Sequence, residues 1–430
     1  MLDKFYKQFK SGTDIRGVAS EGVEGQPVNL TDDVVARMAD GFVLWLSKKV
    51  SKAPETLTIS IGRDSRISGP HIVSICSERF KRCGATVLDC SLASTPSMFM
   101  TTVDLGCDGA LQITASHHPF NRNGLKFFTR EGGLEGSDIE EILEYAQNGD
   151  SPEEKTCGEI RKVDYMTDYA KGLCEKIKKE VNAEDYDHPL KGFKIVVDAG
   201  NGAGGFYADK VLSVLGADTT GSRYLDPDGM FPNHIPNPED ATAMASICEA
   251  VKEANADLGV IFDTDVDRGG AVDNKGNEIN RNRLVAVAAA IALEGNEGGT
   301  VVTDSITSSG LKEFIEDTLG GQHYRYRRGY KNVIDKALEL NAQGINCPLA
   351  IETSGHAAMK ENYFLDDGAY LCTKIIIKAA QMRKEGKELD ELTAELKEPV
   401  ESKEVRFKIL EPDFKACGEK IIGDLTAYAM

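Results

Sequence analysis

Short apolar runs rich in β-branched residues alternate along the chain with stretches of helical spacing. That alternation predicts α/β units built on parallel sheets. Three runs open alike: LTISIGRDSRISG (57–69), FKIVVDAGNGAGG (193–205) and TVVTDSITSSG (300–310) each predict a strand, an aspartate, a small-residue loop and a helix. The aspartates are Asp64, Asp198 and Asp304. Each unit then closes on a second apolar run ending in a polar loop: ALQITASHHP (110–119), LGVIFDTDVDR (258–268) and PLAIETSGH (348–356). Ser116, Asp263 and Glu352 in those loops follow the three aspartates by 52, 65 and 48 residues.

The repetition predicts an α/β fold of three similar domains in tandem, with mixed, largely parallel sheets. Ligands of open α/β sheets sit beyond the carboxyl ends of the strands. Six polar loops at strand ends therefore predict one composite site shared between domains. Polar, turn-rich joins near 150–160, 273–283 and 396–404 place the domains at 1–153, 154–278 and 279–398. Residues 399–430 offer one strand, a short connection and one helix. A segment this short falls below the ~40 residues that fold without extra staples. It reads as the truncated start of a fourth, α+β domain.

Composition narrows the classes. At ~150 residues per domain, 430 residues agree with about three domains. Fifty Lys and Arg against 69 Asp and Glu give a net charge of −19, which repels nucleic-acid phosphates and anionic membranes outside any local basic pocket. No stretch approaches the ~20 apolar residues of a membrane span, and the opening MLDKFYKQFKSG lacks the apolar core of a secretory signal. Ten scattered cysteines without a C-x-x-C pair fit neither a disulfide scaffold nor a zinc ribbon. Reduced thiols and a cytoplasmic location are the expectation. Nothing in the sequence sets an oligomeric state.

Four loops and one glycine pattern carry candidate chemistry. Ser116 stands between a strand and His117-His118, as a nucleophile beside a base or as a serine cap next to two surface histidines. No G-x-S-x-G elbow surrounds it, which speaks against an α/β-hydrolase. NRNGLKFF then brings Lys126 onto a neighbouring strand. In DTDVDR, Asp263, Asp265 and Asp267 alternate straight after an apolar run, a set of oxygen donors for a hard cation. Arg268 at the sixth position and Asn274 at the twelfth reject an EF-hand, so Mg²⁺ shared with a phosphate is the better fit. The competing reading is an exposed acidic turn. Glu352, Ser354 and His356 could grip sugar hydroxyls, with His356 also able to shuttle a proton, or form a polar turn closed by Gly355. HYRYRRGYKNV gathers Arg325, Arg327, Arg328 and Lys331, either an anion site or a solvated strand face. Finally, Gly200, Gly202 and Gly205 satisfy G-x-G-x-x-G with Asp226 about twenty residues on. That pattern keeps an NAD-dependent oxidoreductase as an outside alternative.

In combination and in order, SGTDIRG (11–17), GRDSR (62–66), TASHHP (114–119), NGLK (123–126), DTDVDR (263–268), RGYKN (328–332), ETSGH (352–356) and DDG (366–368) resemble the α-D-phosphohexomutase superfamily, of the phosphomannomutase/phosphoglucomutase type. The resemblance covers residues 1 to about 400. It implies a phosphoserine at Ser116, and one Mg²⁺ held by Asp263, Asp265, Asp267 and an oxygen of the Ser116 phosphate. It further implies that Arg268 stabilises that phosphate and that Glu352 and Ser354 bind sugar hydroxyls, with Arg328 and Gly329 also at the substrate. Arg16, Lys126 and His356, with His117 beside the serine, become the candidates for positioning and general acid/base work. The first three domains are then the phosphoserine, metal-binding and sugar-binding domains, and the fourth binds phosphate.

The implied activity is interconversion of hexose 1- and 6-phosphates of mannose, glucose or both, through a bound hexose 1,6-bisphosphate that also serves as activator. Phosphoryl transfer rests on charge neutralisation and alignment, which these residue types supply. The family's late phosphate-gripping loop has no counterpart after residue 400. A weakly active or silent sugar-phosphate-binding protein is accordingly the alternative. Mannose, glucose and glucosamine are not separated by any motif, although ETSGH leans towards dual mannose and glucose specificity.

Overall fold

The computed structural model describes residues 1–401, 403, 405, 409–411 and 413–429. It forms two compact units, Met1–Lys397 and Glu398–Met430. In the second unit the described element is a helix, Phe414–Ala429. The strand expected in the stretch after residue 399 falls in part on residues 402, 404 and 406–408, which lie outside the described residues.

The first unit holds three sheets. The first contains β1 (Lys10–Ser11), β2 (Asp14–Val18), β3 (Thr58–Arg63), β4 (Thr86–Leu92), β5 (Gly109–Ile113), β6 (Arg122–Thr129), β7 (Gly132–Gly133) and β8 (Glu159–Lys162). Its order is β1-β2-β6-β5-β3-β4-β8, with β7 pairing β6. Strands β5, β3, β4 and β8 run parallel, while β6 turns back antiparallel to β5. The second sheet, of β9 (Ile195–Asp198), β10 (Leu258–Phe262), β11 (Gly269–Asp273) and β12 (Glu278–Ile279), has the order β12-β11-β10-β9. The third, of β13 (Thr300–Thr303), β14 (Gln322–Arg325), β15 (Leu349–Ile351) and β16 (Ala357–Met359), has the order β14-β13-β15-β16.

One motif recurs in all three. A parallel pair (β3 and β5, β9 and β10, β13 and β15) is extended by an antiparallel return (β6, β11, β16). The loops holding Ser116, the three aspartates and Glu352 are the turns of those three returns, so equivalent places in the sheets carry all three motifs.

Packing follows the residue patterns. Helix Arg281–Leu293 (RNRLVAVAAAIAL) has no polar stripe beyond its first turn, and a helix apolar all round belongs inside. Residues Leu284 to Ala290 are accordingly buried. Helix Asp32–Val50 crosses helix Gly136–Asn148 at Gly41, where a Cβ would stand 2.5 Å from the Ile142 carbonyl oxygen. The remaining face of the first sheet joins the other two sheets in a single apolar cluster reaching from Cys90 to Leu389. Among the described residues no helix is long and apolar enough to cross a membrane.

Candidate active site

The Ser116 turn is fixed from beneath by a buried arginine. Arg66 is fully buried, and its Nε donates to Asp64 Oδ2 at 3.2 Å. Its Nη1 donates to the carbonyls of Pro119 (2.7 Å) and Arg122 (3.0 Å), and its Nη2 to those of His118 (2.7 Å) and Ser116. Asp64 also accepts from Thr114 Oγ1 at 2.7 Å, and Thr114 Oγ1 in turn accepts the amide N–H of Ser116 at 2.9 Å. Ser116 is thereby held at φ +51°, a left-handed conformation uncommon outside glycine. The third sheet repeats the device: Asp304 accepts from Thr353 Oγ1 at 2.9 Å beside Ser354. Asp64 and Asp304 thus brace the turns of Ser116 and Ser354. Asp198 instead holds the loop after its own strand, accepting from Gly200 N–H (2.9 Å), Ser246 Oγ (2.7 Å) and His234 Nε2 (3.0 Å).

Above this frame Ser116, 3% exposed, meets the DTDVDR turn. Its Oγ donates to Asp263 Oδ2 at 3.0 Å and lies 3.2 Å from Arg268 Nη2. His117 Nδ1 is 3.3 Å from the same Oγ but accepts from Arg268 Nη2 at 2.6 Å. Burial, then the Arg268 charge, pushes His117 down to about 3, so it stands as a neutral acceptor. Val266, β-branched and buried, bends the turn at φ +66°. Asp263, Asp265 and Asp267 are all buried there, with oxygens within 4.8 Å of one another.

Three carboxylates this close repel. Burial and the neighbouring carboxylates raise Asp263 well above the usual range, and Asp265 rises to about 6 from burial and Asp267. Burial acts on Asp267 in the same sense, but Lys126, His356 and Arg268 outweigh it and hold Asp267 low. Lys126 Nζ donates to Asp267 Oδ2 at 2.7 Å, and this pairing outweighs burial to raise the lysine. Asp265 Oδ1 and Asp267 Oδ1 are buried without a hydrogen-bond partner. A hard oxygen set with two orphaned acceptors fits a divalent cation. The exposed acidic turn is excluded by burial.

Lys126 and His356 meet around Asp267. His356 Nδ1 lies 2.6 Å from Asp366 Oδ2 and 3.9 Å from Asp267 Oδ1, and Asp366 outweighs burial to raise the imidazole. Tyr330 stacks on His356 with centroids 5.2 Å apart, carries Lys126 Nζ 4.7 Å above its ring, and bonds Thr13 Oγ1 at 3.0 Å. Arg16 enters from β2, paired to Asp14 at 3.0 Å, with its Nε buried and unpartnered. Glu352 accepts the Gly329 amide at 2.6 Å and lies 3.5 Å from Ser354 Oγ. Arg328 reaches Glu239 at 3.3 Å.

The rest of the basic cluster stays outside. Arg325 is spent on Thr307 and the Ser308 carbonyl, Arg327 lies over the Tyr326 ring, and Lys331 pairs with Glu135 and Asp335. The glycine loop is packing material as well. A Cβ on Gly202 would come within 2.5 Å of the Thr264 carbonyl oxygen, and one on Gly205 within 2.2 Å of that of Leu225. Gly202 lets the loop lie against the aspartate turn and Gly205 lets it lie against Leu225, which leaves the dinucleotide reading without support. Sequence reasoning did not assign Arg66, Thr114, Asp366 or Tyr330, although each lies inside a quoted motif. Glu239 lies in none.

Comparison with known proteins agrees with this geometry. Three family profiles, phosphoglucomutase/phosphomannomutase alpha/beta/alpha domains I, II and III, match residues 7–153, 168–276 and 280–400. A phosphomannomutase/phosphoglucomutase of Pseudomonas syringae pv. tomato is 31% identical over 336 residues, covering 77% of this chain and 68% of its own. A phosphoglucosamine mutase of Lactobacillus helveticus is 29% identical over 395 residues, 90% of this chain and 81% of its own. The crystal structure of a phosphoglucomutase/phosphomannomutase family protein from Burkholderia thailandensis superposes with a TM-score of 0.76 at 25% identity, covering 93% of this chain and 81% of that one. With domains I, II and III matched in order along the chain and a relative 31% identical over 68% of its own length, the chain belongs to the phosphoglucomutase/phosphomannomutase family of the α-D-phosphohexomutase superfamily.

Proposed function

We propose that the chain is a phosphohexomutase that interconverts hexose 1-phosphate and hexose 6-phosphate of glucose, mannose or both, through phospho-Ser116 and a bound hexose 1,6-bisphosphate. One observation carries this reading. The Ser116 hydroxyl lies 3.0 Å from Asp263 and 3.2 Å from Arg268, beside orphaned carboxylate oxygens of Asp265 and Asp267. A nucleophilic oxygen, a guanidinium and a hard-cation site converge where a phosphoryl group would sit.

Asp263, Asp265 and Asp267 would hold Mg²⁺ together with an oxygen of the phosphate on Ser116. When bound, the ion supplies charge neutralisation for the transferring phosphoryl group. Arg268, whose Nη2 lies 3.2 Å from Ser116 Oγ, would donate to the phosphate oxygens. As the O–P bond to Ser116 breaks and the bond to the sugar oxygen forms, the serine oxygen needs a proton and the sugar hydroxyl must lose one. One cationic group balances both needs by giving its proton to the serine oxygen and taking up the proton that the sugar hydroxyl loses. Lys126 and His356, held cationic by Asp267 and Asp366 respectively, are the candidates for it, and the reverse leg uses the same groups. Glu352 and Ser354 bind sugar hydroxyls and Arg16 and Arg328 orient the substrate, while the Gly329 amide, which donates to Glu352, holds that carboxylate in place. The bisphosphate loads Ser116 when its phosphate has been lost, which makes it the activator.

The test is intact mass with peptide mapping across TASHHPF, before and after incubation with glucose 1,6-bisphosphate and Mg²⁺. One phosphate on Ser116, absent from the Ser116→Ala variant, supports the reading, and no phosphate under any condition overturns it. Turnover of glucose, mannose and glucosamine phosphates in parallel then fixes the sugar. Glucosamine belongs in the set because of the likeness to the L. helveticus mutase.

A further inference from the structure

Glu239 lies outside every motif assigned above, yet it touches two of the arginines placed at the substrate. It stands just before Asp240, the N-cap of helix Ala241–Ala254, and its amide is held by Asn237 Oδ1 at 3.1 Å. Its Oε1 is 3.3 Å from Arg328 Nη2 and its Oε2 is 3.8 Å from Arg268 Nη1. Arg268 follows β10 of the second sheet, and Arg328 follows β14 of the third. The carboxylate therefore closes the gap between the two sheets' loops. Its partners differ in access: the Arg268 side chain is 7% exposed and that of Arg328 47%.

Both contacts are poor for their kind. Guanidinium and carboxylate reach full strength as a two-pronged pair at about 2.7–2.9 Å, whereas Glu239 gives each arginine one oxygen at longer range. A partly exposed pair of this sort contributes ~0–1 kcal/mol. A phosphate monoester carries up to two charges and three acceptor oxygens, and so competes well for the same nitrogens.

The geometry points to Glu239 as an internal competitor for the phosphate-binding arginines, a positioning residue that occupies Arg268 and Arg328 whenever no phosphate does. Resting on the phosphohexomutase reading, the inference adds a role in turnover. A bisphosphate intermediate must let go of both ends in order to reorient. A carboxylate ready to refill the arginines lowers the barrier to that release, because Arg328 regains an anionic partner and Arg268, whose remaining acceptors Asn237, His117 and Ser116 are neutral, regains a charge beside it. The consequence is weaker phosphate binding exchanged for faster reorientation.

The experiment is calorimetric binding of glucose 1,6-bisphosphate in the Ser116→Ala background, which blocks phosphoryl transfer, with and without Glu239→Gln. An internal competitor predicts binding about fivefold tighter once the charge is removed, the upper end for a partly exposed pair. In the chain with Ser116 intact, E239Q should lower KM and kcat together, and Glu239→Asp, which keeps the charge, should behave as the parent. Equal or weaker binding on removing the charge makes Glu239 a brace for the arginines and overturns the inference, while leaving phosphorylation of Ser116 untouched. No binding by either form overturns the inference together with the reading beneath it.

Discussion

Ser116 Oγ donates a hydrogen bond to Asp263 Oδ2 at 3.0 Å although the two residues are 147 positions apart and belong to turns of different sheets. The serine hydroxyl thus caps one of three mutually repelling carboxylates, with Lys126 and Arg268 supplying the compensating charge. A bound cation would relieve that repulsion outright, and this makes the aspartate turn a stability element as well as a chemical one.

Mg²⁺ should therefore stabilise the fold. At about 100 times its Kd, a ligand that binds only the folded state adds ~2.7 kcal/mol. Differential scanning calorimetry should show a higher Tm with Mg²⁺ and its return to the starting value with EDTA. An unchanged Tm at millimolar Mg²⁺ would rule out a cation site at Asp263, Asp265 and Asp267.

Neutralising one carboxylate should have the opposite dependence. Burial and its neighbours raise Asp263, so its charge costs stability at any pH above the value in the unfolded chain. Asp263→Asn should stabilise the metal-free protein at pH 8, seen as a higher Tm than the parent's without Mg²⁺, and should gain nothing from Mg²⁺. A less stable variant would mean that its bonds to Ser116 and to the Arg268 amide outweigh the repulsion.

Arg66 should be among the least replaceable side chains away from the reacting atoms. Its guanidinium serves Asp64 and four backbone carbonyls. Removing one partner of a buried ion pair costs ~3–5 kcal/mol, and Arg66→Met should lose about that much in urea unfolding. Phosphorylation of Ser116 should fall as well, because the turn would no longer hold its left-handed serine.

His234 should give the protein an alkaline limit. Burial disfavours its charge, but hydrogen bonding and the charge of Asp198, with the Ile235 carbonyl, outweigh burial and raise its pKa. A raised folded value means that the stability is fully present below the unfolded pKa of about 6.5. It is lost as pH rises through the folded value. Melting curves from pH 6 to 9 should fall for the parent protein and be flatter, from a lower start, for His234→Gln.

Much of this arrangement was legible in the sequence, for a physical reason. Strand-end turns such as those at Ser116, Asp263 and Glu352 follow continuous apolar runs, because their strands are buried on both faces. The edges of those runs therefore mark the turns sharply. Harder to read was β8, whose EIRK is largely exposed at a sheet edge and shows no alternation. Arg66 was hidden because its partners are backbone carbonyls, which have no sequence signature. Glu239 was hidden because Arg328, 89 residues away, meets it only through packing of the second sheet on the third. The basic cluster misled in part: Arg325 looks available for an anion in sequence, but its hydrogen bonds are taken by Thr307 and Ser308 in the loop after the neighbouring strand β13.

The apolar cluster that runs unbroken from Cys90 to Leu389 has a consequence for how the protein comes apart. Heat or denaturant should meet a single cooperative transition across the three sheets, because exposing one sheet uncovers the seams of its neighbours. A fragment excised at the polar join near residue 276 would carry helix Arg281–Leu293 or its docking surface naked into water, and would aggregate instead of persisting as a module. The three sheets therefore stand or fall as one folding unit.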